Sequence, residues 1–179
     1  MDRTDEELVR ECLDGDTAAY GVLVRRYHRR VIEVGYRALR DGALAEDLAQ
    51  EVFLRAYRSL GGFDEGRRFG AWLMGIAANR VRDHIKSRVK RGEVSWDVVP
   101  PAGTGESTPL DQAEARQLLA RVEAGVATMP EETREVLRLR FVLGLDYEEV
   151  AEVLGMPLGT VKSRISRARG ALRDVLGEV

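Results

Sequence analysis

The chain has 179 residues, enough for one medium domain or two small ones. A net charge of −2 excludes a uniformly basic protein, so any affinity for DNA must come from local patches. The single cysteine, Cys12, excludes an intramolecular disulfide and a cysteine-based zinc site. We expect no metal and no cofactor. The polar, acidic N-terminus and the lack of an apolar run of about 20 residues predict a cytoplasmic protein.

Helical periodicity runs through most of the chain without sustained strand alternation, which predicts an all-α fold. In the first half it predicts four helices, at 4–13, 18–40, 45–60 and 68–90. Residues 92–110 are rich in proline, glycine and serine and predict a flexible linker. Two further helices are predicted at 112–128 and 130–143. We expect two small helical domains, residues 1–91 and 111–179, with variable geometry between them.

Residues 146–172 have the pattern of a helix-turn-helix. Asp146 and Glu149 have the spacing of a capping box, and Gly155 is suited to the left-handed conformation that ends a helix. In the second helix apolar residues recur at i, i+4, i+7 and i+11 and predict one buried stripe: Val161, Ile165, Ala168 and Leu172. No acid occurs from 156 to 173, although a solvated face usually mixes charges into ion pairs. The pattern favours DNA contact over a solvated basic face.

A second basic patch lies at residues 79–91, which contain six Lys and Arg side chains and one acid, Asp83. It follows Trp72, and basic residues beside aromatic rings can bind phosphates and stack unpaired bases. Trp72 shares a face with Ile76, however, which favours a role in the core. The amide of Asn79 can read a base edge. An ordinary surface position explains Asn79 equally well.

The third predicted helix carries an acid-led face. Asp47, Glu51 and Arg55 are spaced i, i+4 and i+8 and line one side of it. Such a face suits a protein partner. From the residues alone, the simpler explanation is ion pairing within the helix, worth only about 0.3–0.5 kcal/mol for Glu51 with Arg55.

Together these features resemble an extracytoplasmic-function (group 4) sigma factor of bacterial RNA polymerase. Residues 16–39 (DTAAYGVLVRRYHRRVIEVGYRAL) are similar to the family's region 2.1, and 45–60 (AEDLAQEVFLRAYRSL) to region 2.2. Residues 69–91 (FGAWLMGIAANRVRDHIKSRVKR) are similar to regions 2.3 and 2.4. Region 4 is matched by 129–172 (MPEETREVLRLRFVLGLDYEEVAEVLGMPLGTVKSRISRARGAL). The resemblance covers almost the whole chain.

The resemblance implies a promoter-specificity subunit, not an enzyme, that binds core RNA polymerase and reads the −10 and −35 elements. In the family, region 2.2 docks on the clamp helices of the β′ subunit, which assigns to polymerase binding Asp47, Gln50, Glu51, Leu54 and Arg55. The −10 element is assigned to Phe63, Asp64, Trp72, Asn79, Arg80, Arg82, Asp83 and Lys86. Within this set, Phe63 and Asp64 match the segment that holds an unpaired base. The −35 element is assigned to Thr160, Lys162, Ser163, Arg164, Ser166 and Arg167.

Further partners follow from the same resemblance. We expect contact with the β flap of polymerase and an anti-sigma factor that holds the chain inactive, in some members at the membrane. Activity in response to stress or another signal is expected, with no small-molecule substrate.

Three alternatives remain open from the residues alone. A conventional helix-turn-helix regulator binds duplex DNA by itself, but it has no need of the acidic face and the 79–91 patch together. A sigma mimic that does not initiate transcription would share the pattern. A metal-dependent nuclease would use acids that are better explained as first-turn helix charges: Glu131, Glu132, Asp146, Glu148 and Glu149.

Overall fold

The computed structural model describes residues 3–91 and 109–177, and every regular element in these ranges is helical. The fold class is therefore the all-α class that the sequence predicts. The helices are α1 (Asp5–Leu13), α2 (Thr17–Leu39), α3 (Gly42–Ser59), α4 (Phe69–Lys90), α5 (Pro109–Ala127), α6 (Glu131–Leu137), α7 (Tyr147–Leu154) and α8 (Leu158–Leu176). The predicted linker lies outside the described residues, except for its last two positions, which begin α5. No described helix is long and apolar enough to cross a membrane.

Capping side chains set the helix starts. At α1, the Glu7 amide donates to Thr4 Oγ1 at 3.2 Å, and the Thr4 amide donates to Glu7 Oε2 at 2.8 Å. Asp41 caps α3, which explains why this helix begins three residues before its predicted start. The break before it is made by Arg40, which takes the left-handed conformation at φ 55°. The predicted break at positions 41 and 42 is thus one residue late.

Helices α1 to α4 pack around one apolar core. The close approach of α2 and α3 depends on Gly35, where a Cβ atom would lie 3.3 Å from the Cα and Cβ of Ala45. Burying each large aliphatic side chain contributes about 1.5–3 kcal/mol relative to exposure. The fully buried members include Leu8, Leu23, Val31, Val34, Leu73 and Met74.

Helices α5 to α8 form the second domain. The predicted helix at 130–143 is α-helical only to Leu137 and continues as a π-helical turn over Arg138–Val142. Because the turn is wider, the amide of Leu143 bonds five residues back, to the Arg138 carbonyl at 3.1 Å. This turn leads into the helix-turn-helix, whose core includes Leu139, Leu143, Leu145, Val150, Val161 and Ile165.

The two domains also contact each other, chiefly through α4 and α7. Arg30 Nη2 donates to the Gly144 carbonyl at 2.9 Å, and Arg67 Nη2 donates to the Glu152 carbonyl at 2.6 Å. Buried residues of both domains belong to one continuous apolar cluster. The structure therefore shows a single packed arrangement where the linker sequence predicts variable geometry. Apolar packing and ion pairs between the domains, such as Arg30 with Glu149, hold this arrangement.

Candidate nucleic-acid and polymerase interfaces

The helix-turn-helix forms as its capping residues predict. The Glu149 amide donates to Asp146 Oδ1 at 2.6 Å, and the Asp146 amide donates to Glu149 Oε2 at 2.8 Å. Gly155 ends α7 in the left-handed conformation, at φ 62°. Pro157 then stands immediately before α8, where its missing N–H costs nothing.

Helix α8 buries one stripe and exposes the opposite face. Val161, Ile165 and Ala168 are buried, as predicted, whereas Leu172 is only half-buried. The opposite face has no acid and presents hydroxyl and basic groups at helical spacing. Its exposed members are Lys162, Ser163, Ser166 and Arg167, with Thr160 half-buried at the N-terminal end. Such a face provides the hydrogen-bond donors that a major-groove reader uses.

Arg164 differs from the rest of its predicted set. It lies on the flank of α8 and pairs with Glu132 of α6, and only 19% of its side chain is exposed. The assignment of Arg164 to DNA does not fit this geometry, because the guanidinium is turned towards its own domain. On the other flank, Arg169 lies over the Phe141 ring, 5.8 Å from its centroid. The helical periodicity of the sequence did not indicate that Arg164 would pair with Glu132 or that Arg169 would lie over Phe141.

In α4, four of the predicted −10 residues lie on one face. Trp72, Asn79, Arg82 and Lys86 recur at i, i+7, i+10 and i+14, close to whole helical turns. Asn79 is exposed, and its Oδ1 accepts a hydrogen bond from Arg82 Nη1 at 3.1 Å. This bond presents the amide and the guanidinium as one unit. Asp83 is also exposed and lies within 3.4 Å of Arg80 Nη1.

An aromatic cluster lies at the start of α4. Phe63 stands 5.1 Å from Trp72 and 5.8 Å from Phe69 between ring centroids. Phe63 is only 8% exposed, so its ring is part of the core and its face is covered. Asp64 beside it is exposed and accepts from the Gly66 amide at 2.9 Å. Of the two residues predicted to hold an unpaired base, the structure presents only Asp64 to solvent. Trp72 is half-buried and contacts the cluster, as its apolar neighbours suggest.

The acid-led face of α3 is solvent-exposed. Its five predicted polymerase contacts are all exposed: Asp47, Gln50, Glu51, Leu54 and Arg55. Leu54 is 55% exposed and Tyr57 beside it is 44% exposed, an apolar centre within a charged surface. The sequence prediction missed Tyr57. Glu51 pairs with Arg80 of α4 and not with Arg55, so ion pairing within the helix does not account for the face.

Four of the five acids that a nuclease would need are engaged in local contacts. The pKa of Glu131 is lowered by the hydrogen bond from Arg134, as expected for an ion-paired carboxylate. Glu132 pairs with Arg164, and Asp146 and Glu149 cap α7. These contacts account for the four acids as parts of the scaffold, and Glu148 lies in the first turn of α7.

Known families match both domains. The model of sigma-70 region 2 matches residues 23–91, and that of sigma-70 region 4 matches residues 119–172. RNA polymerase sigma-H factor of Pseudomonas aeruginosa is 36% identical over 96% of this chain and 93% of its own length. The ECF RNA polymerase sigma factor SigW of Bacillus subtilis is 31% identical over the full length of both chains. The ECF RNA polymerase sigma-E factor of Escherichia coli K12 is 34% identical over 94% of this chain and 92% of its own.

Solved structures share the fold. CnrH in complex with the cytosolic domain of CnrY matches at a TM-score of 0.59 and 28% identity, covering 96% of each chain. The sigma factor RpoE of Bartonella quintana, in complex with the anti-sigma factor NepR, matches at a TM-score of 0.51 and 23% identity. This second match covers 88% of this chain and 96% of that one, and it bears on the fold alone.

Two helical domains, one with a basic, amide-bearing helix and one with a helix-turn-helix, define the architecture of a sigma-70-type initiation factor. The chain belongs to the extracytoplasmic-function sigma factor family. Its function is promoter-specific initiation of transcription as a subunit of RNA polymerase, and it is not an enzyme. Its partners are core RNA polymerase and promoter DNA.

Proposed function

We propose that three faces of this sigma factor have separate roles in initiation. The α3 face binds polymerase, the α4 face with Asp64 reads the −10 element, and the exposed face of α8 reads the −35 element. The observation that carries the proposal is that the α3 and α8 faces are exposed, as are Asn79 and Lys86 on α4, while the opposite side of each helix is buried. We propose domain boundaries at 1–91 and 111–179, joined by 92–110.

Polymerase binding is assigned to α3 on shape and charge. Leu54 and Tyr57 provide exposed apolar surface that a partner can cover, and at about 25 cal/mol per Å² even a small covered area contributes measurably. Asp47 and Glu51 flank this centre and would select a basic partner. In the sigma factor family, that partner is the clamp of the β′ subunit. We also propose a contact between the second domain and the β flap.

Reading of the −10 element is assigned to Asn79 with Arg82. An amide can make two hydrogen bonds to an adenine edge, and the neighbouring guanidinium can bind the backbone. Capture of a flipped base costs a few kcal/mol of unstacking. The aromatic cluster under this face contributes rigidity, since Phe63 and Phe69 hold Trp72 in place.

Reading of the −35 element is assigned to Lys162, Ser163, Ser166 and Arg167. Arg167 is our choice for guanine, because a bidentate arginine contact gives about 1–3 kcal/mol of discrimination. Its Nε donates to the Ser163 carbonyl at 3.3 Å, which fixes the side chain along α8. Thr160 supports the N-terminal end of the same face.

Because polymerase tethers both domains, promoter contacts of modest affinity are sufficient for recognition. With both domains on polymerase, the second promoter contact is effectively intramolecular, and the combined affinity exceeds that of either alone. The net charge of −2 fits weak binding of DNA by the free chain.

We further propose that the chain acts in the cytoplasm and is restrained by an anti-sigma factor until a stress or other signal arrives. In one protein of similar fold, CnrH is bound to the cytosolic domain of CnrY. Anchoring at the membrane would then be a property of the partner.

Holoenzyme assembly tests the assignment of faces. Leu54→Lys should lower the affinity for sigma-free core polymerase at least tenfold, measured by biolayer interferometry. Leu13→Lys is the matched control, because Leu13 is 48% exposed at the end of α1 and outside the proposed surfaces. Equal affinity of the two variants would contradict the assignment of α3.

A further inference from the structure

Tyr20 of α2 lies directly behind the proposed polymerase-binding face of α3. Its hydroxyl donates to the main-chain carbonyl of Phe53 at 2.6 Å, in a buried contact between the two helices. The same carbonyl lies four residues before Tyr57, whose amide it accepts in regular α-helical bonding. One oxygen therefore receives both the Tyr20 hydroxyl and the backbone of an aromatic residue of the α3 face.

The rings of Tyr20 and Tyr57 pack against each other. Their centroids are 4.9 Å apart and their planes are inclined at 60°, an arrangement that is favourable for aromatic pairs. Tyr20 is only 9% exposed, whereas Tyr57 is 44% exposed. Tyr57 thus has one side against a buried ring and the other side available to a partner. Leu54, three residues earlier, lies on the same side of α3.

The hydroxyl of Tyr20 gives this contact a direction. Burial raises the pKa of Tyr20, so the hydroxyl keeps its proton and remains a donor in neutral and mildly basic solution. Phenylalanine would fill the same space in the core, but it could not bond to the Phe53 carbonyl. Because hydrogen bonds are directional, this bond fixes the position of the Tyr20 ring, and the ring then limits where Tyr57 can lie.

A fixed Tyr57 ring favours binding because less order has to be imposed when the complex forms. Immobilising one rotamer-rich side chain at an interface weakens binding by about two- to tenfold. The Tyr20 ring restricts Tyr57 before polymerase binds, so most of this cost is met on folding. The affinity for polymerase then depends on a side chain that polymerase does not touch.

We infer that Tyr20 is a positioning residue for polymerase binding, which holds the Tyr57 ring in the orientation that polymerase contacts. The inference rests on the proposed assignment of α3 to polymerase. Tyr20 itself is covered by α3 and acts through Tyr57 alone. Its effect on affinity should therefore disappear when the Tyr57 ring is absent.

A double-mutant cycle tests the inference. Tyr20→Leu, Tyr57→Ala and the double variant are compared with the wild-type chain for affinity for sigma-free core polymerase, by biolayer interferometry. We expect Tyr20→Leu to lower the affinity of the wild-type chain about two- to tenfold. In the Tyr57→Ala background it should have no further effect on affinity, although its effect on urea denaturation should persist. A residue that only stabilised the domain would not show this split.

Tyr27→Leu is the matched control. Tyr27 also lies on α2, is partly buried and donates its hydroxyl, in its case to Asp5, but its ring packs against Phe69 of α4. We expect Tyr27→Leu to lower stability and to leave the affinity for core polymerase unchanged. Equal losses of affinity in the Tyr20 and Tyr27 variants would overturn the inference, because the effect would then follow from lower stability in general.

The remaining outcomes also decide the matter. Wild-type affinity in a folded Tyr20→Leu chain, or additive losses from Tyr20→Leu and Tyr57→Ala, would overturn the inference. If the leucine variant does not fold, Tyr20→Phe takes its place in the cycle, with an expected loss of about twofold that again disappears in the Tyr57→Ala background. Wild-type affinity of both Leu54→Lys and Tyr57→Ala would instead remove the proposed polymerase-binding face, on which the inference depends.

Discussion

Arg80 and Glu51 join α4, which is proposed to read the −10 element, to α3, which is proposed to bind polymerase. Arg80 Nε lies 3.0 Å from Glu51 Oε2, although the two residues are assigned to different partners. Polymerase that engages Glu51 would therefore release Arg80 towards DNA. The pair is exposed on the Glu51 side, and exposed pairs contribute only about 0–1 kcal/mol. Little free energy is therefore needed to break this ion pair, as expected of a contact that is lost when polymerase binds.

Replacement of this glutamate should separate function from stability. Glu51→Ala should lower affinity for core polymerase about three- to tenfold while reducing the free energy of unfolding by no more than about 1 kcal/mol. The measurements are binding to core enzyme and urea denaturation. Glu65→Ala is the control, since Glu65 is an exposed acid outside α3 that also pairs with an arginine, Arg10. Equal loss of affinity in both variants would contradict a specific role of Glu51.

The recognition helix should respond most at Arg167. Arg167→Ala should reduce transcription from promoters with an intact −35 element by about 5- to 150-fold, the equivalent of about 1–3 kcal/mol. Arg173→Ala, an exposed arginine further along α8, should change it little. Run-off assays on matched templates with and without the −35 element make the comparison. A loss that persists without the −35 element would argue against base reading.

Arg164 should behave as a structural residue. Arg164→Ala removes the ion pair with Glu132, and we expect a loss of up to about 1 kcal/mol of stability because Glu132 is largely exposed. The −35 sequence selected from a randomised promoter pool should stay the same. A changed base preference would show that Arg164 leaves Glu132 and contacts DNA.

Substitutions of Phe63 distinguish a role in core packing from a role in base stacking. Truncation in Phe63→Ala should cost about 3–5 kcal/mol, because the ring is buried among Phe69 and Trp72. Phe63→Leu retains more of the volume and should cost less than the alanine variant. If the ring is only a core element, the leucine variant keeps full affinity for a single-stranded oligonucleotide that carries the −10 sequence. Tenfold weaker binding by a stable leucine variant would support contact with a base.

Burial raises the pKa of the Cys12 thiol. The folded chain holds the thiol proton more tightly than the unfolded chain. The contribution of Cys12 to the free energy of unfolding is therefore fully present below the ordinary thiol pKa. It declines as pH rises through the folded value. Native protein at pH 8 should react with a thiol-specific disulfide reagent far more slowly than protein in denaturant. Equal rates would show that the α1 core is open.

Local structure was largely predictable because it depends on neighbouring residues. The capping box at Asp146 and the glycine end of α7 depend only on neighbouring residues, and both form as expected. The same motif at Thr4 and Glu7 could have been predicted in the same way but was not. The buried stripe of α8 follows from periodicity in the same way, with Leu172 at its less covered end.

Contacts between distant elements were not predictable from one sequence. Nothing in the spacing of Glu132 and Arg164, or of Glu135 and Arg82, indicates that these charges meet across folded helices. The burial of Phe63 is similar, since a glycine-rich loop gives no signal that its aromatic residue turns inward. These tertiary contacts decide which basic side chains remain available to DNA.

Run-off transcription tests the central claim most directly. The wild-type chain is added to sigma-free core polymerase with a pool of promoter fragments from its own host genome. We predict new transcripts with defined starts, whose upstream sequences share two elements at fixed spacing, and their loss with Arg167→Ala and Leu54→Lys. Specific binding of duplex DNA by the chain alone, with no transcripts at any promoter, would contradict the account.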